Sequence, residues 1–93
     1  MAFGALLVAP AAAEARSCGN INGYYVGVSA KNTTCATARG VARGYQRAIN
    51  GCGSVFTPCR ARGFTCRGRR SAGRFRIRCA SGRRVATFYI PGD

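Results

Sequence analysis

Residues 62–84 read RGFTCRGRRSAGRFRIRCASGRR, a stretch that holds nine of the chain's fourteen arginines with two cysteines set among them. Phe64 and Cys66 alternate with Thr65 and Arg67, and Phe75, Ile77 and Cys79 alternate with Arg74, Arg76 and Arg78. A period of two marks a strand with one apolar face and one solvated face. A disordered basic arm would lack this alternation. Residues 68–73, bounded by Gly68 and Gly73, read as a turn region, and Ser81-Gly82 reads as a second turn. RRVATFYIP, residues 83–91, gives a third strand. Ala86, Phe88 and Ile90 share one of its faces, Val85, Thr87 and Tyr89 the other, and Pro91 ends it. The three strands form an antiparallel meander, with arginines on the outer face and cysteines and phenylalanines on the inner one.

Upstream, GYYVGVSA (residues 23–30) puts Tyr24, Val26, Val28 and Ala30 on one side of a further strand and Tyr25, Gly27 and Ser29 on the other. NTTCATARGVARGYQRAINGCG (residues 32–53) reads as a helix. Thr33 or Thr34 caps its start through a hydroxyl. Cys35, Ala38, Val41, Ala42, Tyr45, Ala48 and Ile49 then recur at helical spacing, and Asn50-Gly51 is a stop signal. Arg39, Arg43 and Arg47 form a basic stripe on another face. Gly40 and Gly44 each weaken the helix by about 1 kcal/mol relative to alanine, so they read as points where a sheet approaches closely. One face of the meander needs a cover, and this helix is the one candidate. The expected fold is therefore α+β: two layers, one helix packed on an antiparallel sheet of three to four strands, stapled by disulfides. The N-terminal strand lies at an edge or beside the meander.

Ninety-three residues allow one domain. Residues 1–15, MAFGALLVAPAAAEA, have the apolar run and small-residue end of a secretory signal peptide, with residues 16–93 as a single small secreted domain. No Lys or Arg precedes the run, so either the true start lies upstream of Met1 or the run is not a signal. It is shorter than the roughly 18 apolar residues of a transmembrane helix. An even count of six cysteines agrees with export and a disulfide framework. Cys52 and Cys59, seven residues apart around Gly53 and Pro58, suit a local bridge.

The chain carries fifteen basic residues against two acidic ones, a formal charge of +13. Removal of residues 1–15 takes away Glu14 and no basic residue, leaving Asp93 alone against fifteen cations, a formal +14. Charge of that size opposes compaction. A core this small rarely supplies more than roughly 3–5 kcal/mol, so three disulfides at typically 2–4 kcal/mol each would decide the balance.

The residue inventory excludes much chemistry. The chain has no histidine, and residues 16–93 have no glutamate and one aspartate. Ser-His-Asp and Cys-His nucleophiles, a glycosidase carboxylate pair, and calcium or magnesium sites lack their parts. The cysteine intervals of 17, 17, 7, 7 and 13 contain no short pair of the kind zinc sites or a redox C-x-x-C use. No catalytic residue, metal or cofactor is expected, and the chain is read as non-enzymatic. Asn32-Thr33-Thr34 matches a glycosylation sequon, though helix capping explains it as well.

Arg67, Arg69, Arg70, Arg74, Arg76 and Arg78 form the candidate polyanion-binding set, with Tyr89 available for stacking. The codon bias of a GC-rich genome would produce the same arginines as a solvated coat.

At SAKNTTCATARGVARGYQRA, GFTC and RIRCASGRRVATF the chain resembles a group of small secreted cysteine-containing actinobacterial proteins, largely uncharacterised. The resemblance spans about residues 18–90 and implies secretion and fold rather than activity. Cys18, Cys35, Cys66 and Cys79 match the group's common positions. Cys52 and Cys59 are additional, which supports their pairing with each other. The other four imply two bridges that tie the helix start at Cys35 to a sheet cysteine, Cys66 or Cys79. A Cys66–Cys79 bridge across the hairpin is the alternative, although the inferred register does not set the two opposite.

The expected function is an exported cationic module, monomeric and without a small-molecule cofactor, that binds an anionic polymer or surface: wall polymer, anionic lipid or extracellular nucleic acid. The alternative is an antagonistic protein, either a membrane-active antimicrobial or a protease inhibitor acting through the Cys52–Cys59 loop.

Overall fold

The structure, a computed structural model, describes residues 14–23 and 25–92. Residues 1–13 of the expected signal peptide, Tyr24 and Asp93 lie outside the described residues. Six strands, β1 (Arg16–Ile21), β2 (Tyr25–Lys31), β3 (Cys59–Ala61), β4 (Phe64–Ser71), β5 (Arg74–Ser81) and β6 (Arg84–Pro91), accompany one helix, α1 (Cys35–Ala48). All six form one sheet in the order β1-β2-β6-β5-β4-β3, and every neighbouring pair is antiparallel.

The expected α+β sandwich of one helix on three to four strands is therefore corrected to a mostly β architecture. Two hairpins add the extra strands. Asn22 and Gly23 both hold positive φ between β1 and β2, and Arg62 and Gly63 do so between β3 and β4. At Arg62-Gly63, where Ala61 pairs with Phe64, positive φ at both central residues is the turn geometry that matches the twist of a two-residue hairpin, whereas the β1–β2 connection is one residue longer, Ile21 pairing with Tyr25. Ala72 and Gly73 make the same two-residue turn between β4 and β5. The expected turn region from Gly68 onward is thus strand up to Ser71.

Helix α1 starts as expected. Thr34 is its N-cap, and the Thr34 hydroxyl accepts the Thr37 N–H at 3.0 Å, an arrangement worth about 1 kcal/mol. Ala38, Val41, Ala42 and Tyr45 are buried on one face. A 3-10 turn at Ile49–Gly51 follows. The helix packs against β2 and β6 and also against the two edge strands, β1 and β3. Six strands about 4.8 Å apart are far wider than one helix, so the sheet curls around α1 and its outer face is convex.

The disulfides hold that curl. Cys18–Cys35 joins edge strand β1 to the first residue of α1, and Cys52–Cys59 joins the segment after the helix to the opposite edge strand, β3. Cys66–Cys79 crosses the β4–β5 ladder, where the two residues are register partners with Cα atoms 3.9 Å apart. The Cys52–Cys59 pairing agrees with the local bridge read from the sequence. The expected link from Cys35 to Cys66 or Cys79 is corrected to Cys18. A turn confined to Ala72-Gly73 is the reason: it sets Cys66 and Cys79 opposite, each six residues from the loop.

The inner face carries the core. Cys59, Cys66, Cys79, Ala86 and Ala30 line up across five strands, all buried. Beside them Tyr25 stacks on Phe88 with ring centroids 5.2 Å apart, and Tyr45 meets Phe88 edge-on at 5.6 Å. Tyr25 was expected to face away from Val28 and Ala30, yet all three are buried together and Val26 points outward. Gly27, at φ +63°, causes the change of phase. The β2–β6 register slips by one residue between Val26 and Ser29, a bulge that turns Tyr25 inward. The Gly27 N–H donates to Asn20 Oδ1 at 3.0 Å, so the bulge leaves no orphaned amide there.

Gly44 does meet the sheet, whereas Gly40 faces only the guanidinium of Arg62, 3.6 Å from where a Cβ would stand. A Cβ on Gly44 would lie 3.0 Å from Arg62 Cγ and 3.6 Å from Ala61 Cβ, at the end of β3. Arg39 departs from the expected solvated stripe. Its guanidinium donates to the carbonyls of Cys18 and Asn20 at 2.9 and 3.0 Å, fastening β1 to the helix.

Candidate polyanion-binding face

The convex face is built by the register of β4, β5 and β6. Arg67 stands opposite Arg78, which stands opposite Thr87; Ser29 of β2 continues that row. One step along, Arg69 stands opposite Arg76, and Arg76 opposite Tyr89, with Val26 beyond. Arg74 lies at the end of the same face, its guanidinium 4.4 Å from the Tyr89 ring centroid. Five of the six sequence-derived residues (Arg67, Arg69, Arg74, Arg76 and Arg78) therefore share one surface. Residues i and i+2 on a strand are roughly 6.8 Å apart and neighbouring strands about 4.8 Å, so the face is a grid of cations a few ångströms apart.

Arg70 does not belong to the grid. It follows Arg69 directly, so the pleat sends it to the helix side. There its guanidinium lies 5.2 Å from the Phe75 ring centroid. The alternation that reveals β4 already separates the two, since Arg69 and Arg70 differ in parity. Sequence reasoning also missed cations that the register adds. Arg60, opposite Thr65, falls on the outer face, and so does Lys31, opposite Val85.

Two shallow troughs cross this surface. One of about 710 Å³ is lined by residues that include Ser29, Lys31, Arg76, Arg78, Arg83 and Thr87, and the other of about 360 Å³ by Thr65, Arg67, Arg69, Arg76 and Arg78. They share Arg76 and Arg78. Glu14, the sole carboxylate side chain among the described residues, sits on the rim of the larger trough. The troughs offer guanidinium forks and hydroxyls. A guanidinium presents five N–H donors in a plane that fits phosphate or carboxylate two bonds at a time.

The six cysteines are all in disulfides, so no thiol remains as nucleophile or ligand. Among the described residues no group of three or more His, Cys, Asp or Glu side chains gathers to hold a metal. No described helix is long and apolar enough to cross a membrane.

The Cys52–Cys59 loop is tightly turned. The Thr57 hydroxyl donates to the carbonyls of Cys52 and Ser54 at 2.7 and 2.9 Å, and the Ser54 hydroxyl accepts the Phe56 N–H. The loop folds against β4 where β3 has ended, and the Gly68 N–H donates to the Val55 carbonyl at 2.7 Å. Phe56, exposed, meets Phe75 edge-on at 5.8 Å. Asn32 of the sequon holds φ +59° and donates its side-chain N–H to the Arg83 carbonyl, while the sequon's Thr34 caps the helix.

In comparison with known proteins, no family model, curated protein or solved structure matches this chain.

Proposed function

We propose that the chain is an exported, non-enzymatic cationic module that binds an anionic polymer or surface through the convex face of its sheet. The observation that carries the reading is the cross-strand grid of Arg67, Arg78, Arg69 and Arg76, extended by Arg74. Like charges set directly opposite each other on a sheet cost stability, so a grid of them is intelligible where an anion offsets the repulsion. Export is supported by three disulfides in a small chain and by the small-residue run that ends before Arg16. The shared chemistry of wall polymer, anionic lipid and nucleic acid is a repeating phosphate or carboxylate, and that is what guanidinium forks recognise.

The test is binding of the oxidised chain to duplex DNA, anionic vesicles and purified anionic wall polymer across a salt series, beside Arg74→Ala/Arg76→Ala/Arg78→Ala. Each neutralised phosphate adds about −0.9 to the slope of log affinity against log salt for duplex DNA. The triple variant is expected to weaken binding and flatten that slope by about 2–3. Binding that the triple change leaves intact removes this face from the function. Leakage from the vesicles would instead identify a membrane-active antagonist.

A further inference from the structure

We propose that the convex face carries a base-stacking site at Tyr89 and that its anionic ligand is single-stranded nucleic acid. The inference rests on the anion-binding reading above and names the ligand class. Tyr89 is the aromatic side chain embedded in the arginine grid, opposite Arg76 and partly exposed. Its ring leans across the neighbouring strand at Gly27: a Cβ there would lie 3.2 Å from Tyr89 Cδ1 and 3.6 Å from Cε1. A side chain at that position would take the space of the ring. The bulge that removes the side chain thus allows the ring to lie against the sheet.

A face of the ring is occupied as well. The Arg74 guanidinium sits over it, 4.4 Å from the centroid. A planar cation over an aromatic face occupies the position that a nucleobase takes on a stacking platform. A base that enters displaces the guanidinium, and the freed Arg74 stays on the outer face to meet a phosphate. Arg76 stands beside the ring to take a neighbouring phosphate, and the Thr87 and Ser29 hydroxyls lie in the next row. A duplex keeps its base faces stacked inside, whereas a single strand offers them. A wall polymer or lipid headgroup has no planar ring to offer, so the aromatic would add nothing to its binding.

The experiment compares a short oligothymidylate with an abasic oligomer of equal length and charge. Fluorescence anisotropy with the oxidised chain at physiological salt reads both. The oligothymidylate is expected to bind at least about five-fold more tightly, the lower end of what one stacked base contributes. Tyr89→Thr is expected to erase that ratio, and Tyr89→Phe to retain it. Arg74→Ala is expected to weaken both oligomers and to keep or raise the ratio, since no guanidinium then has to be displaced. Equal affinities for the two oligomers with the unaltered chain would overturn the stacking site and leave the anion-binding reading standing. A ratio that survives Tyr89→Thr would also overturn it. Failure of both oligomers, with wall polymer or vesicles bound, would overturn the ligand class; failure of every polyanion would overturn the anion-binding reading with it.

Discussion

Gly27 and Tyr89 touch across the β2–β6 ladder: a Cβ on Gly27 would stand 3.2 Å from Tyr89 Cδ1, and Gly27 itself holds φ +63°. Two constraints meet at one residue. The left-handed conformation costs an L side chain roughly 1–3 kcal/mol, and the ring must move to admit a Cβ. The bulge also sets the phase that buries Tyr25. Gly27→Val is therefore expected to lower stability by about 2–3 kcal/mol, read as a lower urea midpoint of the oxidised chain. An unchanged midpoint would mean that β2 can re-register without the bulge.

The three disulfides differ in burial, and that difference orders their reduction. Cys66 and Cys79 are both 0% exposed, whereas Cys18, Cys35 and Cys52 are partly accessible. A reductant attacks a sulfur that it can reach. Graded reduction with alkylation and mass spectrometry is expected to label Cys18 and Cys35 early and Cys66 and Cys79 last, with global unfolding. In the chain-entropy account, the sequence separations of 17 and 13 correspond to about 3 kcal/mol each and that of 7 to about 2 kcal/mol. Early labelling of Cys66 would show that the β4–β5 hairpin opens before the edges do.

Much of this architecture was legible in the sequence where side chains alternate. The strands β4, β5 and β6 announce themselves through Phe64/Cys66, Phe75/Ile77/Cys79 and Ala86/Phe88/Ile90, and α1 through its apolar spacing. β1 was hidden because Arg16–Ile21 is exposed except for Ile21 and partly buried Cys18, so it has no apolar face to read. β3 is three residues long. β1 left a signal in its turn, Asn22-Gly23, whereas Arg62-Gly63 offers only a glycine. The arginine face was legible in kind, since strand alternation put five arginines outward together. Its composition was not, because Arg60 and Lys31 join it only through register, and Arg70 leaves it through the pleat. The placement of the Tyr89 ring depends on a bulge one strand away, a long-range fact that local pattern does not hold.

Tyr45 makes alkaline stability sensitive. Its side chain is fully buried, its hydroxyl has no hydrogen-bond partner among the described residues, and burial, followed by the nearby Tyr25, pushes its pKa from 10.0 up to about 12. The folded chain thus holds this proton more tightly than the unfolded one. The stabilisation is fully present below about pH 10 and is lost as pH rises toward about 12. Tyr45→Phe keeps the ring against Phe88 and removes the orphaned hydroxyl. It is expected to be neutral or stabilising by about 1 kcal/mol at neutral pH and to reduce the fall in stability above pH 10. Circular dichroism melts across that range check both. A marked loss at neutral pH would show that the hydroxyl is engaged after all.

Arg69 and Arg76, and next to them Arg67 and Arg78, face each other as like-charged register pairs on the convex surface. Direct opposition of like charges on neighbouring strands is destabilising by a few tenths to about 1 kcal/mol per pair. These side chains reach solvent, so salt screens the repulsion over about 10 Å at 0.1 M ionic strength. The melting temperature of the oxidised chain is therefore expected to rise as sodium chloride is added. Arg69→Glu converts one repulsive pair into an attractive one and leaves Arg67 opposite Arg78. It is expected to stabilise the sheet by about 0.5–1 kcal/mol at low salt, to lose most of that gain at high salt, and to weaken polyanion binding. Stability and binding would then move in opposite directions in a single variant, as expected where a charge grid is kept for a ligand at a cost to the fold. A variant that left both unchanged would show that Arg69 is solvent coat.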